Sequence, residues 1–516
     1  MGVSRRHFFY GSLLAGAVPT GGFGTFPSLK AMGYKSPNEK LNIAGIGAGG
    51  QGAGNLMAVS SENIVALADP DAKRAGQTFE RFEKAAKYTD FRKMLDKESS
   101  IDAVIVATPD HMHGICSMWA MERGKHVYCQ KPLTRTIWEA RQLTEAAAKF
   151  KVATQMGNQG YSNEGTRQCC EMIWRGDIGD VTEVHAWTNR PIWPQGISEI
   201  PPEEPVPPTL DWDAWIGIAQ MRPYTSGGAA YEKNQWGKFY QPFNWRGFYD
   251  FGCGALGDMA CHVLGAPNMA LRLGAPSSVE CLSQEGKNSL TFPTKSTIRF
   301  DFPARGTMPP VTIYWYDGLK NNPKRPNGLA ETEYLGDLPR APFRQGGAGG
   351  GQGGQRAGGP GGPPRPRYGQ PIGEIYDHEQ FAATLQRIKD AGGEVPYASQ
   401  SGVVFVGTKG MMTAGEYGAG ARLLPNEKMA DYRFPPQLLT RSPGHFQDWL
   451  RACKGGDPAC SNFSLAGPFT EWILLGVLAL RVDGKLEWDS AKMRVTNNND
   501  ANKLIKPYIR KGWSWT

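Results

Sequence analysis

A glycine-rich segment between two short apolar runs constrains this sequence more than any other feature. Residues 41–46 form an apolar run of strand length, and the glycines of residues 47–52 follow at the spacing G-x-G-x-x-G. After a helix-length stretch, a second apolar run at 64–68 ends on Asp69. In this arrangement the glycines permit a tight turn, a close approach of backbone to a pyrophosphate, and close packing of helix on strand. The pattern therefore predicts a strand–turn–helix unit that binds a dinucleotide.

The same segment supplies the candidate cofactor-binding residues. The glycines that would surround a pyrophosphate are Gly47, Gly49, Gly50 and Gly52. The register of the motif stays open, because Gly45, Gly47 and Gly50 fit the same spacing. A carboxylate at Asp69 can accept hydrogen bonds from a ribose 2′-hydroxyl and would repel a 2′-phosphate. The preferred cofactor is therefore NAD, with NADP as the alternative.

The pattern of apolar runs predicts two domains of different kinds. Residues 38–158 alternate short strands with helices, which is typical of a doubly wound parallel sheet. From 159 to 440, longer runs such as 181–187 and 296–300 predict an α+β domain built on a mostly antiparallel sheet. Residues 441–516 contain two apolar helices and a tail that we expect to pack on the core. The predicted fold class is α/β, with a second α+β domain.

Two local predictions concern the first domain. The charged stretch from Ala72 to Lys87 is interpreted as one helix, followed by a shorter one that ends at Asp96. Asp110 follows a buried strand and precedes a helix that begins at His111, so it is interpreted as the N-cap of that helix.

Composition excludes several classes of function. The formal net charge is +8, but the 57 Lys and Arg residues are scattered, so no nucleic-acid partner is expected. The nine cysteines form no C-x-x-C pair and no Cys/His cluster with zinc spacing, and therefore no metal site is expected. Buried free thiols are the simplest interpretation. A disulfide between Cys453 and Cys460 remains open.

Two segments are expected to lie outside the folded core. Residues 1–35 resemble a twin-arginine export signal, because Ser4-Arg5-Arg6 and Phe8 precede a short apolar stretch. This resemblance implies a periplasmic or exported protein, and the alternative is a chance arginine pair at a disordered terminus. The apolar stretch is too short for a membrane span, although a retained N-terminal anchor stays open. Residues 345–366, mostly Gly, Gln, Pro and Arg, cannot build a core and are predicted to be disordered.

Three residues are candidates for chemistry. Lys131 follows a strand of the first domain, and ligands in such sheets bind at the carboxyl ends of strands. Asp258 and His262 lie four residues apart, so on a helix they would share one face as a proton-transfer pair. The alternatives are a surface lysine, a helix cap and a core histidine, and residue type alone does not decide between them.

Together these features resemble the Gfo/Idh/MocA oxidoreductase family, which contains glucose–fructose oxidoreductase and inositol dehydrogenase. The resemblance extends from residue 40 to residue 513. It rests on the glycine loop and on Thr108-Pro109-Asp110-His111-Met112-His113, Lys131-Pro132, Asp258 and His262. It is closest to exported members that carry Trp-Arg-x-x-x-Asp-Phe-Gly, which is found here at residues 245–252.

The resemblance implies a role for each candidate residue. Lys131 would hydrogen-bond the reacting oxygen and stabilise alkoxide charge, and His262 would take the hydroxyl proton. Asp258 would orient either the substrate or the imidazole. The residues implied to line the cofactor site are Thr108, Pro109, His113 and Lys131.

One departure and one faint substrate signal accompany the resemblance. Gln130 stands where the family usually has Glu, which removes a charge beside the lysine. Aromatic residues crowd between 187 and 249, and such rings pack against sugars. Trp245 and Arg246 are therefore candidates for substrate binding. The alternative is that most of these aromatic residues fill the core and a dimer face.

Three hypotheses on function follow. The first is an NAD(P)-dependent oxidoreductase that acts on a sugar, polyol or glycoside hydroxyl, with a tightly bound cofactor. The second is an NAD-dependent glycoside hydrolase that uses transient oxidation and elimination. The third is a carbohydrate-binding protein without turnover. For the enzymes, a homo-oligomer formed through the second sheet is expected.

Overall fold

The computed structural model describes the chain from residue 39 to residue 515, with several gaps. The gaps are at 233, 235–236, 324, 331–332, 338–385, 388–389 and 391–396. The leader predicted at 1–35 and the glycine-rich segment at 345–366 therefore lie outside the described residues.

The first domain is a six-stranded parallel sheet covered by helices. Its strand order is β3-β2-β1-β4-β5-β6, with every described pair parallel. The strands are β1 (Asn42–Ile46), β2 (Asn63–Ala68), β3 (Ala86–Tyr88), β4 (Ala103–Val106), β5 (His126–Cys129) and β6 (Thr154–Met156). The helices are α1 (Gln51–Ala58), α2 (Ala72–Arg81), α3 (Phe91–Lys97), α4 (Asp110–Glu122) and α5 (Ile137–Phe150). The prediction of a doubly wound parallel sheet is confirmed.

Two local predictions in this domain were wrong. The stretch from Ala72 to Lys87 is not one helix, because α2 ends at Arg81 and β3 adds an edge strand to β2. Sheet pairing thus overrides the helical preference of the charged residues. Asp110 does not cap α4, since Pro109 occupies the N-cap position and Asp110 is the first helical residue.

The second domain is a nine-stranded sheet of order β13-β12-β11-β7-β10-β9-β8-β14-β15. Its only parallel pair among the described strands is β7 with β10, so the prediction of a mostly antiparallel sheet is confirmed. The strands are β7 (Val181–Thr188), β8 (Ser278–Glu285), β9 (Lys295–Phe302), β10 (Val311–Asp317), β11 (Ser401–Gly407), β12 (Gly410–Gly415), β13 (Arg422–Leu424), β14 (Leu486–Asp489) and β15 (Arg494–Val495). The associated helices are α6 (Glu164–Arg175), α7 (Trp212–Ile216), α8 (Gly254–Val263) and α9 (Gly265–Ala270).

The C-terminal part joins the two domains. It contributes the helices α10 (His445–Cys453), α11 (Phe463–Ala479) and α12 (Asn499–Asn502). Helix α11 is apolar on almost every side because it packs on α5 of the first domain and on α8 of the second. One continuous hydrophobic core therefore spans both domains. Among the described residues, no helix combines the length and apolar character that a membrane crossing requires.

Candidate cofactor cleft and active site

The glycine loop adopts the geometry that a dinucleotide requires. Gly47 has φ +84°, and a Cβ on it would lie 2.6 Å from the carbonyl oxygen of Ala107. A Cβ on Gly52 would lie 1.8 Å from the carbonyl oxygen of Gly47. Only glycine fits at these two positions, so the motif is read as Gly47, Gly49 and Gly52. Helix α1 begins at Gln51, which brings its free N–H groups to the loop.

Asp69 lies at the end of β2 and supports this loop. Its carboxylate accepts hydrogen bonds from the backbone N–H groups of Ala48 (2.8 Å), Gly49 (3.2 Å) and Asp71 (2.9 Å). Burial raises the pKa of Asp69 to about 6, although these hydrogen bonds oppose the increase. The acid predicted to bind a ribose therefore also fixes the loop that would hold the pyrophosphate.

Arg74 was not identified from the sequence, although it contacts the glycine loop. A Cβ on Gly50 would lie 2.3 Å from a guanidinium nitrogen of Arg74, and a Cβ on Gly49 would lie 2.5 Å from its Cγ. Arg74 thus covers both glycines, and its guanidinium beside Gly50 adds positive charge near the expected pyrophosphate position. An arginine in the first turn of the helix after Asp69 was the signal available in the sequence.

The segment after β4 forms another wall of the cleft. The hydroxyl oxygen of Thr108 is buried and has no hydrogen-bond partner among the described residues. The ring nitrogens of His113 lie 2.9 Å from the carbonyl oxygen of Thr108 and 2.7 Å from that of Pro132. His113 is buried, and its burial lowers its pKa to about 4. Its neutral ring has one N–H, which donates to one of these two carbonyl oxygens, and it lies between the end of β4, next to Pro109, and the loop that carries Lys131.

Lys131 meets the second domain at Asp258. Its ammonium nitrogen lies 2.7 Å from a carboxylate oxygen of Asp258 and 3.1 Å from the backbone carbonyl oxygen of the same residue. Nε of Arg246 donates to the same carboxylate oxygen at 3.1 Å. Burial alone would raise the pKa of Asp258, but the charges of Lys131 and Arg246 hold it well below its ordinary value. The carboxylate stays charged and positions two cations.

His262 lies one turn after Asp258 on α8, on the same helix face. Its side chain is buried, and Nδ1 has no hydrogen-bond partner among the described residues. Asp258 is engaged by Lys131 and Arg246, and no hydrogen bond between Asp258 and His262 is found in this part of the chain. Burial, assisted by the charge of Lys131, lowers the pKa of His262 well below its ordinary value. A neutral imidazole at neutral pH is able to accept a proton.

Asp110 is a second buried carboxyl group in this site. Burial raises its pKa to about 7, while the charges of Arg246 and Lys131 oppose the increase and Asp258 adds to it. The sequence suggested a helix cap, but the side chain belongs to the same charge network as Lys131. It was missed because its neighbours come from distant parts of the chain.

The other predicted residues take different places. Trp245 is almost fully buried in an aromatic cluster. The guanidinium carbon of Arg246 lies over its ring, 4.3 Å from the ring centroid. Most of the surrounding rings also belong to this buried cluster, which favours the core alternative for them. Gln130 is buried, and its side-chain amide nitrogen has no partner among the described residues.

An arm of the second domain, residues 207–217, crosses the carboxyl end of β2. The backbone N–H of Asp211 donates to the carbonyl oxygen of Pro70 at 2.8 Å. The N–H of Ala72 donates to the carbonyl oxygen of Thr209 at 2.9 Å. This arm covers the edge of the cleft where Asp69 would meet the ribose.

The described residues contain no group of three or more His, Cys, Asp or Glu side chains arranged to hold a metal ion. All nine cysteines are free, including Cys453 and Cys460, so the open disulfide between them is not formed. The site fits a dinucleotide and not a metal ion. It combines a glycine loop without Cβ atoms, a helix N-terminus and the unpartnered Thr108 hydroxyl.

Two family models match the chain in the order of its domains. Residues 40–158 match "Oxidoreductase family, NAD-binding Rossmann fold", and residues 178–283 match "Oxidoreductase family, C-terminal alpha/beta domain". The first domain is therefore an NAD-binding Rossmann domain.

Two similar proteins each match 21% of this chain. An inositol 2-dehydrogenase of Saccharopolyspora erythraea is 34% identical over 113 residues, which are 21% of this chain and 33% of that protein. A levoglucosan dehydrogenase of Pseudarthrobacter phenanthrenivorans is 30% identical over 121 residues, or 21% of this chain and 30% of that protein. The chain thus matches about a third of the length of each.

A solved structure extends the similarity to both domains. The WlbA dehydrogenase from Bordetella pertussis, in complex with NADH and UDP-GlcNAcA, has a TM-score of 0.52. It is 12% identical, and the match covers 87% of this chain and 99% of that one, which shows a common fold. With matches to both family models on consecutive domains, the chain is similar to the Gfo/Idh/MocA oxidoreductase family.

Proposed function

We propose that this protein is an NAD-dependent oxidoreductase that moves a hydride between nicotinamide and a hydroxyl carbon of a sugar, polyol or glycoside. The observation that carries the proposal is the contact between Lys131, at the end of β5 beside the cofactor cleft, and Asp258 on α8. In this proposal the reacting hydroxyl lies beside the amine, the carboxylate and His262, which follows Asp258 by one helical turn. NAD is preferred because Asp69 ends β2, and NADP is the alternative.

The protein side chains divide the proton chemistry. Lys131, held by Asp258, donates a hydrogen bond to the reacting oxygen and stabilises its negative charge. His262, neutral because it is buried, accepts the hydroxyl proton. Arg246 adds a second positive charge beside Asp258 and donates a hydrogen bond to its carboxylate. When bound, NAD supplies the ring carbon that takes or returns the hydride.

The wider context supports a carbohydrate substrate and a retained cofactor. The matched relatives are named for inositol and levoglucosan, and the similar solved structure holds a sugar nucleotide. The arm at 207–217 favours slow release of the nucleotide. We further propose export by the twin-arginine route, from the motif at residues 4–8, and assembly of copies through the second sheet.

The experiment begins with protein purified without added nucleotide. We expect absorbance of a bound nicotinamide and its change on addition of a sugar or polyol. Release of phenol from an aryl glycoside without a net change in nicotinamide absorbance would favour the glycoside hydrolase. The arm at 207–217 is also compatible with that reaction, because the hydrolase needs NAD to stay bound. If no nicotinamide binds at any concentration, the proposal is wrong.

Substitution of the lysine tests its assigned role. Lys131→Met should lower kcat by about 10²- to 10³-fold, because a charge-stabilising donor is lost. Lys125→Met is the matched control, since Lys125 precedes the opposite end of the same strand and contacts the backbone of Ser99. Equal activities of the two variants would contradict the role of Lys131.

A further inference from the structure

Tyr417 has a backbone conformation that large side chains rarely adopt. It lies in a short turn, residues 416–418, that follows β12. Its φ of 62° and ψ of 20° are in the left-handed region, where a bulky residue is an outlier. Such conformations persist where the surrounding structure enforces them, and they concentrate at functional sites.

The turn is held by the start of α6. The hydroxyl of Thr166 donates to the carbonyl oxygen of Tyr417 at 3.3 Å, and the N–H of Gly415 donates to the carbonyl oxygen of Ala419 at 2.7 Å. A Cβ on Gly165 would lie 2.1 Å from the carbonyl oxygen of Gly418. Because α6 contacts the turn at backbone distance, the turn has little room to relax.

The consequence of this conformation is the position of the phenol ring. The ring centroids of Tyr417 and His262 lie 4.6 Å apart, with an angle of 58° between their planes. The buried Nδ1 of His262 has no hydrogen-bond partner among the described residues, and Asp258 is engaged elsewhere. Packing against Tyr417 is therefore a contact that can orient the imidazole.

We propose that Tyr417 is a positioning residue for His262, and that its left-handed backbone aims the ring at the imidazole. The inference rests on the proposed function, because it takes His262 as the proton acceptor. It assigns the tyrosine to neither substrate nor cofactor. The phenol hydroxyl is not required, because ring packing performs the task.

The ring should also control the protonation of His262 by excluding water. Burial lowers the pKa of His262, and its other charged and titratable neighbours come from several elements. They are Lys131 after β5, Asp258 on α8, His445 on α10 and Arg190 after β7. Glu416 contacts Tyr417 from within the turn. If the ring is removed and these groups remain, water reaches the imidazole and its pKa should rise toward 6.5.

Three substitutions at one position separate positioning from stability. Tyr417→Phe keeps the ring and should retain the kcat and pH profile of the wild type. Tyr417→Ala and Tyr417→Gly both remove it, but only glycine tolerates the left-handed backbone, so the glycine variant should melt at the higher temperature. Both should lose kcat equally, on the order of tenfold to a hundredfold. In a merely structural role, kcat would instead follow the melting temperature.

Two further readouts complete the test. The acid limb of kcat/KM against pH should move to higher pH in the alanine and glycine variants, because the base is protonated earlier. Titration of ¹³C-labelled histidines by NMR, with His262→Asn to identify the resonance, should show the same change without turnover. Lys151→Gly is the backbone control, since Lys151 has φ 53° at the end of α5.

The outcomes distinguish this inference from the proposed function. An active wild type whose alanine and glycine variants keep both kcat and the pH profile would overturn the positioning role. A wild type without hydride transfer to any sugar would instead contradict the proposed function. In that case the NMR titration still tests whether Tyr417 controls His262.

Discussion

Two acids in the cleft, Asp110 and Asp258, differ in charge because their partners differ. Asp258 lies 2.7 Å from the amine of Lys131, and the pKa of its carboxyl is held below the ordinary value despite burial. Asp110 forms no ion pair among the described residues, and burial raises its pKa to about 7. At neutral pH the first acid is charged and the second is partly protonated.

This difference predicts a pH-dependent effect of Asp110→Asn. A raised pKa in the folded state gives stability that is present below the ordinary pKa of 3.8 and is lost as the pH rises through about 7. The wild type should therefore lose up to roughly 4 kcal/mol relative to the variant over this window. Thermal melts of both proteins from pH 4 to pH 8 measure it. A difference in melting temperature that does not vary with pH would contradict it.

Single residues were predictable where a motif defines them. The glycine loop, Asp69 and Lys131 occupy the cleft because their positions follow from the order of strands and turns. Arg74, Asp110 and Tyr417 were not found, because each acquires its role from neighbours that are remote in sequence or from an unusual backbone angle. For Asp110 and Tyr417, no periodicity or spacing carries that information.

At the scale of elements, prediction succeeded for buried strands and failed for polar or glycine-rich ones. Strands β7 and β9 were found because they contain runs of apolar and β-branched residues. Strand β8 has only two buried residues and β12 contains glycine at both ends, so neither has a clear pattern. These segments form strands because they pair with neighbouring strands of the sheet.

The arm at 207–217 leads to a prediction about cofactor release. Trp212 stacks on Trp215 with centroids 4.9 Å apart, which supports the arm over the end of β2. Trp212→Ala should loosen the arm and raise the rate of NADH dissociation, measured by stopped-flow fluorescence. Trp174→Ala is the control, because Trp174 donates to the carbonyl oxygen of Ala270, away from the arm. Equal rates in both variants would mean that the arm does not retain the nucleotide.

At the scale of the whole molecule, α11 makes the two domains interdependent. Arg141 on α5 donates two hydrogen bonds of 2.7 Å to the carboxylate of Glu471 on α11. The glutamate side chain is only 7% exposed, so the pair links the domains in a place with little water. The sequence indicated an apolar core helix here but not its partner.

We therefore expect both domains to unfold in one transition. Glu471→Gln should lower the free energy of unfolding by about 1.5–3 kcal/mol, because hydrogen bonds to a charged group are lost. The transition should remain single when followed by near-ultraviolet circular dichroism and by nucleotide binding. Lys503→Met is the control, since the Lys503–Asp500 pair is exposed and should contribute little. Separate transitions for the two probes would contradict this expectation.

The shared helix also limits how this protein can be recombined with its relatives. A chimera that exchanges only residues 159–440 would set a foreign sheet against the native α11, whose side chains fit the original α8 and β9. An exchange that includes α11 would instead disturb the native α5. Transplanting substrate preference between family members should therefore succeed by replacing loops around the cleft, and fail by replacing the second domain as a block.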